Sequence, residues 1–140
     1  MLAGKNEILN YIPQRPPMVM IDSLVAASDT HAVTQFQPME SNVFVVNGSL
    51  TEPGLVENIA QTAAAQVGYV CKQRSVPVPV GFIAAIKNLS IYALPKIGEQ
   101  IETRIEVKDT VMNIVLLTGT SFSGDQKLCE CEMKVFINQQ

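Results

Sequence analysis

Histidine is nearly absent from this sequence of 140 residues; His31 is the only one. Cysteine is scarce too: Cys71, Cys129 and Cys131, with no second closely spaced pair. Structural metal sites draw on clustered nitrogen and sulfur donors, so these shortages argue against a metal. No redox cofactor is indicated either. Cys129 and Cys131 lie two apart on an expected strand and share one face. The three thiols read as reduced, partly buried cysteines of a cytoplasmic protein. No apolar run approaches the roughly 20 residues that span a bilayer. The opening stretch, Met1 to Asn10, lacks the apolar core of a secretory signal. Positive charge is not in excess. Lys and Arg number 10 against 13 Asp and Glu, a net charge of −3, and the pI is near 5.1. That balance argues against nucleic acid as the main partner.

What is present is enough apolar residue, 47%, for one domain with a real core. One long helical pattern stands out, from Glu52 to Lys72. Thr51 is a plausible N-cap, and Pro53 suits a first turn, where its missing N–H costs nothing. At the helical period Val56, Ile59, Ala60, Ala63, Val67 and Val70 share one face. Glu57, Asn58, Gln61, Ala64, Ala65 and Gly68 share another. That second face has no Lys or Arg and no Glu–Lys pairing. It predicts a helix wrapped by protein on most sides, with a few polar groups carried into an apolar place.

The rest reads as strands. Residues 5–11 could form a short helix, ended by Pro13 and the Pro-rich run that follows. Met18 to Ala26 and Ala32 to Gln37 read as the first two strands. A loop from Pro38 to Leu50 holds the turn signal Asn47-Gly48. After the helix come Val80–Tyr92, Glu99–Lys108, Val111–Ser121 and Lys127–Ile137. They are punctuated by Leu94–Gly98, Asp109-Thr110 and Ser123–Asp125. The long third strand, Val80–Tyr92, is expected to bend or bulge. Short turns make the later strands antiparallel neighbours. There is no internal repeat, linker or low-complexity tract. One antiparallel sheet of about six strands must therefore curl around one long central helix, an α+β arrangement filling a single domain, 1–140.

Three segments carry a resemblance. Tyr11–Asp22 (Y-I-P-Q-R-P-P-M-V-M-I-D) is similar to L-P-H-R-x-P-x-L-L-x-D. Pro53–Gln61 (P-G-L-V-E-N-I-A-Q) resembles P-G followed by E-x-x-A-Q at the start of a central helix. Phe82–Ile101 resembles a strand of type G-I-D-x-x-x-F ending in P-x-x-P-G-D-x-L. In order and spacing they resemble the hot-dog 3-hydroxyacyl-ACP dehydratases, lyases of fatty-acid synthesis, and their relatives in aryl-polyene clusters.

The resemblance implies a reaction. Dehydrating a 3-hydroxyacyl thioester takes a proton from the carbon beside the carbonyl and expels the 3-hydroxyl as water. A base, an acid and a group that stabilises charge on the thioester oxygen are all required. In the family a His moves one proton, and a helix carboxylate from the other protomer assists. A helix N-terminus with a nearby Gly N–H polarises the carbonyl. Glu57 and Gln61 match the helix motif and are the catalytic candidates. Gly54 matches the Gly of P-G. The family His does not carry over: Ser49 follows Gly48 in its place, and Gln14 replaces the His of P-H-R. Ser49 cannot substitute without an activating base. His31 aligns with no catalytic position and reads as a surface or turn residue. Ser49, Gly54, Asn58, Gln14 and Phe82 are the substrate-binding candidates.

Each has a plainer reading. Glu57 suits a helix dipole, Gln61 and Asn58 suit buried backbone groups, Gly54 a helix start, and Met18, Met20, Phe82 and Ile83 core packing. Arg15 would pair with an acidic group. The expected ligands are acyl-ACP or acyl-CoA thioesters in an apolar tunnel. The expected assembly is a homodimer, or a heterodimer with a related hot-dog subunit, because the sheet otherwise leaves an edge bare. Two functions stay open: an enzyme on acyl thioesters, as dehydratase or as thioesterase with Glu57 activating water, and a non-catalytic acyl-binding or partner subunit. The acidic pI suits an acidic carrier protein only if Arg15, Arg74, Lys87 or Lys96 cluster locally.

Overall fold

The structure is a computed structural model that describes residues 1–138, so the last two positions of the expected domain lie outside the described residues. After one 3-10 turn at Ile8–Asn10, the chain forms β1 (Ser23–Ala27), β2 (His31–Phe36), a small hairpin of β3 (Val45–Val46) and β4 (Ser49–Leu50), and α1 (Glu52–Gln73). Four long strands follow: β5 (Val80–Ile91), β6 (Ile101–Val111), β7 (Ile114–Ser123) and β8 (Gln126–Asn138). Six strands form one sheet in the order β1-β2-β6-β7-β8-β5, and every pairing is antiparallel. The sheet holds α1 against one face, as expected of a hot-dog domain.

Helix α1 is wrapped as its sequence implies. Leu55, Asn58, Ile59, Gln61, Thr62 and Ala65 are fully buried, polar and apolar alike. Two glycines set the approach distances. A Cβ on Gly68 would stand 1.9 Å from the Tyr11 carbonyl oxygen, so only glycine lets the N-terminal segment lie on the helix. A Cβ on Gly119 of β7 would stand 2.4 Å from Ile59 Cγ2, which sets how closely helix and sheet pack.

Four expectations change. The first strand begins at Ser23 rather than Met18, because side chains of α1 take the backbone groups of Met18 and Met20. The 5–11 helix shrinks to a 3-10 turn. The Thr51 hydroxyl does not cap the helix; it donates to the Phe44 carbonyl (2.6 Å). Strand β6 runs through Asp109-Thr110, with its register shift between Val107 and Asp109, and turns instead at Met112-Asn113. Met112 takes φ +56°, a conformation that its residue type does not announce. Asn47-Gly48, by contrast, closes the β3–β4 hairpin with φ +53° and +80°, as such pairs do. Strand β5 bulges as expected, with register shifts between Ile83 and Ala85 and between Lys87 and Ser90.

The two sheet edges differ. β1 has five residues and is flanked by Ala3, whose N–H and carbonyl both bond Leu24. β5 has twelve and no partner on its outer side among the described residues. Phe82, Ile83, Ile86 and Leu89 are exposed along it.

Candidate active site

Two stripes of α1 face different surroundings. Asn58, Gln61, Ala65 and Gly68 lie three or four residues apart and face the N-terminal segment. Gln61 Oε1 accepts from the Met20 N–H (2.6 Å), and its Nε2 donates to the Met18 carbonyl (2.7 Å). Asn58 Nδ2 donates to the Met20 carbonyl (2.8 Å). The Thr103 hydroxyl donates to Asn58 Oδ1. Thr62 donates its hydroxyl to the Asn58 carbonyl (2.8 Å), so Thr34 must donate to Thr62 (2.7 Å). These bonds satisfy the amides inside a fully buried region, where an unpaired one would be costly.

The second stripe opens onto a cavity of about 220 Å³. Its floor is Glu57, Ala60, Ala64 and Val67, and its walls include Val115, Leu117, Val135 and Ile137 of β7 and β8. Glu57 stands at one end. Gln61 Nε2 donates to its Oε2 (2.7 Å), so the buried amide holds the carboxylate in place. Glu57 is the one ionisable group among the described residues of this lining. Gln14 lines the same cavity, and its Oε1 is buried with no hydrogen-bond partner. Phe82 closes one side from the bare β5 edge, where it is 55% exposed.

The structure thus brings Glu57, Gln14 and Phe82 to the cavity, with Gln61 behind Glu57. It puts the other candidates elsewhere. Asn58 is turned away and saturated. Gly54 is buried under Leu50 and Phe44, and its N–H bonds the Thr51 carbonyl (3.0 Å), so it is no free donor for a thioester oxygen. Ser49 sits in β4, paired with Val46 and bridged to Lys96, off the cavity. Met20 is core and Met18 is 40% exposed; neither lines the cavity. Arg15 donates to the Ile12 and Gln14 carbonyls rather than to an acid. Sequence reasoning missed Gln66, which is buried, donates to the Ser28 and Asp29 carbonyls (2.8 and 3.0 Å) and lines the cavity. Its signal was its position, one turn past Ala63 at the border of the first face, where a polar side chain needs buried partners.

His31 lies on the far strands. Its Nε2 is 3.1 Å from Glu106 Oε2, and the side chain is 60% exposed. Lys108, hydrogen-bonded to Glu106, holds that carboxyl below its usual range, with His31 adding to the effect. Burial pushes the Cys129 thiol up to about 12 and Cys131 up to about 11; neighbouring Cys131 and Glu130 add to the first, Glu132 to the second. Both are poor nucleophiles at neutral pH. No three His, Cys, Asp or Glu side chains cluster as metal donors among the described residues. No helix among them is long and apolar enough to cross a membrane.

One curled sheet, one buried helix and a carboxylate at the head of an apolar cavity define a hot-dog protein of the dehydratase-like, acyl-thioester-processing kind. The chain belongs to the ApeP-like dehydratase family, whose model, described as ApeP dehydratase, matches residues 6–140. It is 23% identical over 143 residues to the 3-hydroxyacyl-acyl-carrier-protein dehydratase FabZ of Clostridium kluyveri, covering 98% of this chain and 97% of that protein. Its fold is similar to that in the dehydratase heterocomplex ApeI:P from Xenorhabdus doucetiae, with a TM-score of 0.89 at 16% identity, covering 95% of this chain and 91% of that one. It is also similar, at a TM-score of 0.66 and 12% identity, to a hypothetical thioesterase with coenzyme A from Streptococcus pneumoniae, covering 84% and 85% of the two chains.

Proposed function

We infer that this chain is the carboxylate-bearing subunit of a 3-hydroxyacyl-thioester dehydratase, and that a second hot-dog subunit completes its site. The observation that carries this is the single ionisable group among the described lining residues, Glu57, fixed by Gln61 at one end of a mostly apolar cavity. In the proposed step the C2–H bond breaks, the C2–C3 double bond forms, and the C3 hydroxyl leaves with a proton as water. Glu57 serves one of these two proton transfers. The other needs a second acid–base group, which the described lining does not supply.

The bare β5 edge supports a partner as its source. Gly81, Phe82 and Ile83 line the cavity and also lie on that edge. A strand added there would wall the cavity and bring the partner's side chains to it. That the related ApeI:P assembly is a dehydratase heterocomplex supports a related subunit over a second copy. The substrates are 3-hydroxyacyl groups on acyl carrier protein or coenzyme A. A cytoplasmic location fits three free thiols.

The test is turnover of 3-hydroxyacyl and saturated acyl thioesters, on both carriers. It uses the chain alone and the chain mixed with separately purified His-bearing hot-dog dehydratase subunits, beginning with any that a neighbouring gene encodes. Enoyl product from the pair, lost with Glu57→Gln in this chain only, is the expected result. Enoyl formation indifferent to Glu57→Gln would remove Glu57 from the site. Free thiol released from saturated thioesters, and lost in the variant, would replace the dehydratase with a thioesterase.

A further inference from the structure

Among the described residues, two buried side-chain polar atoms lack a hydrogen-bond partner, Gln14 Oε1 and Ser121 Oγ. Ser121 lies opposite Cys129 on β8, whose thiol is a weak partner. Gln14 instead lines the cavity that holds Glu57. The fold pairs its other buried amides, those of Asn58, Gln61 and Gln66, because an unpaired one is costly. Gln14 is the exception, and it stands where a ligand would lie.

The chain ties Gln14 to the carboxylate. Arg15 donates to the Ile12 and Gln14 carbonyls (2.8 and 2.7 Å) and braces the backbone there. The Met18 N–H bonds the Arg15 carbonyl (2.9 Å), which closes a turn and keeps those two residues within about 7 Å. Gln61 Nε2 then donates both to the Met18 carbonyl and to Glu57 Oε2, each at 2.7 Å. One short turn and one amide therefore connect Gln14 to Glu57. Gln66, the other amide of the lining, is placed differently. Its Nε2 serves the Ser28 and Asp29 carbonyls, and it follows Glu57 by nine residues, about 13 Å along α1 at a rise of about 1.5 Å each.

We propose that Gln14 Oε1 accepts the hydrogen of the substrate's 3-hydroxyl, so that Gln14 selects 3-hydroxyacyl thioesters and orients the leaving group. This rests on the reading that Glu57 meets the reacting carbons. C3 is one bond from C2, so the group that holds the hydroxyl belongs close to the carboxylate. An amide is neither acid nor base at neutral pH; Gln14 positions the hydroxyl and moves no proton. With its hydrogen held, the hydroxyl turns its lone pairs towards the acid that protonates it as it leaves. A saturated acyl group has no hydrogen to offer and leaves Oε1 unpaired in a dry site, which is how an enzyme rejects an analogue lacking a hydroxyl.

Calorimetry with three pantetheine thioethers tests this, on the chain as purified and on its mixture with the His-bearing subunit. They carry 3-hydroxybutyl, butyl and 3-fluorobutyl groups. None has a carbonyl to activate C2, and fluorine stands in for the hydroxyl without its hydrogen. The 3-hydroxybutyl ligand should bind at least tenfold more tightly than the other two. Gln14→Met should weaken it until all three agree within threefold. Because Oε1 has no protein partner to lose, the same variant should unfold in denaturant at or above the parent's midpoint.

Kinetics of the complete assembly separate positioning from chemistry. Gln14→Met should raise KM for a 3-hydroxybutyryl thioester about tenfold and change kcat less than threefold. The enoyl product has no hydroxyl, so its KM in the hydration direction should not move. The equilibrium constant is fixed, so hydration must show the same loss in kcat/KM through kcat. Fluorobutyl binding as tight as hydroxybutyl, a hydroxyl preference that survives Gln14→Met, or earlier unfolding of that variant would overturn the role of Gln14 and leave the acyl-thioester reading standing. Binding of none of the three ligands to either sample would overturn both.

Discussion

Glu57 and Asn58 are neighbours in the chain and opposites in the fold. Asn58 faces a region where its carbonyl and both side-chain groups are bonded and nothing is exposed. Glu57 has one side-chain partner and faces an apolar cavity. The difference recurs along both stripes of α1: Asn58, Gln61, Ala65 and Gly68 hold the N-terminal segment down, while Glu57, Ala60, Ala64 and Val67 leave space. Packing on the first stripe is spent on stability, and openness on the second is available for a ligand. A helix that ran saturated all round would be more stable and would bind nothing.

That contrast can be broken most severely at Gly68. Gly68→Ala forces a methyl against the Tyr11 carbonyl oxygen, which the chain can only escape by lifting the N-terminal segment. The expected loss is about 3 kcal/mol in denaturant unfolding, despite the better helix propensity of alanine. Ala64→Ser, on the open stripe, should change stability by less than about 0.5 kcal/mol. If the two substitutions cost the same, the stripes do not differ as described.

Asn58→Ala comes next. It strands the Met20 carbonyl and the Thr103 hydroxyl in a buried place, and should cost about 2 kcal/mol in the same assay. Glu57→Gln keeps an acceptor for Gln61 and should stay within about 0.5 kcal/mol of the parent, while a dehydratase assay of the complete assembly falls by about 10² or more. Equal destabilisation by both would make Glu57 a structural carboxylate.

The smallest effect is silent at neutral pH. The native thiols of Cys129 and Cys131 are raised above the ordinary value of 9.0, so the folded state keeps protons that the unfolded chain releases. Stability is therefore full below pH 9 and falls as pH rises through about 11 and 12. Cys129→Ala/Cys131→Ala should flatten that alkaline limb. Below pH 9 a thiol reagent should modify Cys71 alone in the native protein. Fast labelling of all three would mean that the β7–β8 region is looser than its burial indicates.

The main elements were legible because they are written in local periodicity: two-residue alternation in β2 and β7, helical spacing in α1, Gly-containing turns at Asn47-Gly48 and Gly124-Asp125. The turn at Met112-Asn113 was not, since neither residue demands a positive φ. In the site, Glu57 and Gln61 were legible as a pair four residues apart on one helix. The resemblance implied a tunnel, but the lining of the cavity was not legible, because its walls come from α1, β6, β7, β8 and the start of β5, far apart in sequence.

Residue pattern alone therefore pointed to a sheet curled around a central helix, to the family whose model matches residues 6–140, and to Glu57 and Gln61 as neighbours on one helix. Folding decides what each polar group does. Gly54, Ser49 and Asn58 sit in or near the motif, yet their partners are Thr51 and Leu50, Val46 and Lys96, Met20 and Thr103. For Asn58 those partners lie 38 and 45 residues away. Whether a side chain meets substrate or backbone depends on what the rest of the chain brings against it. That is set by packing across the whole core, which no local spacing encodes.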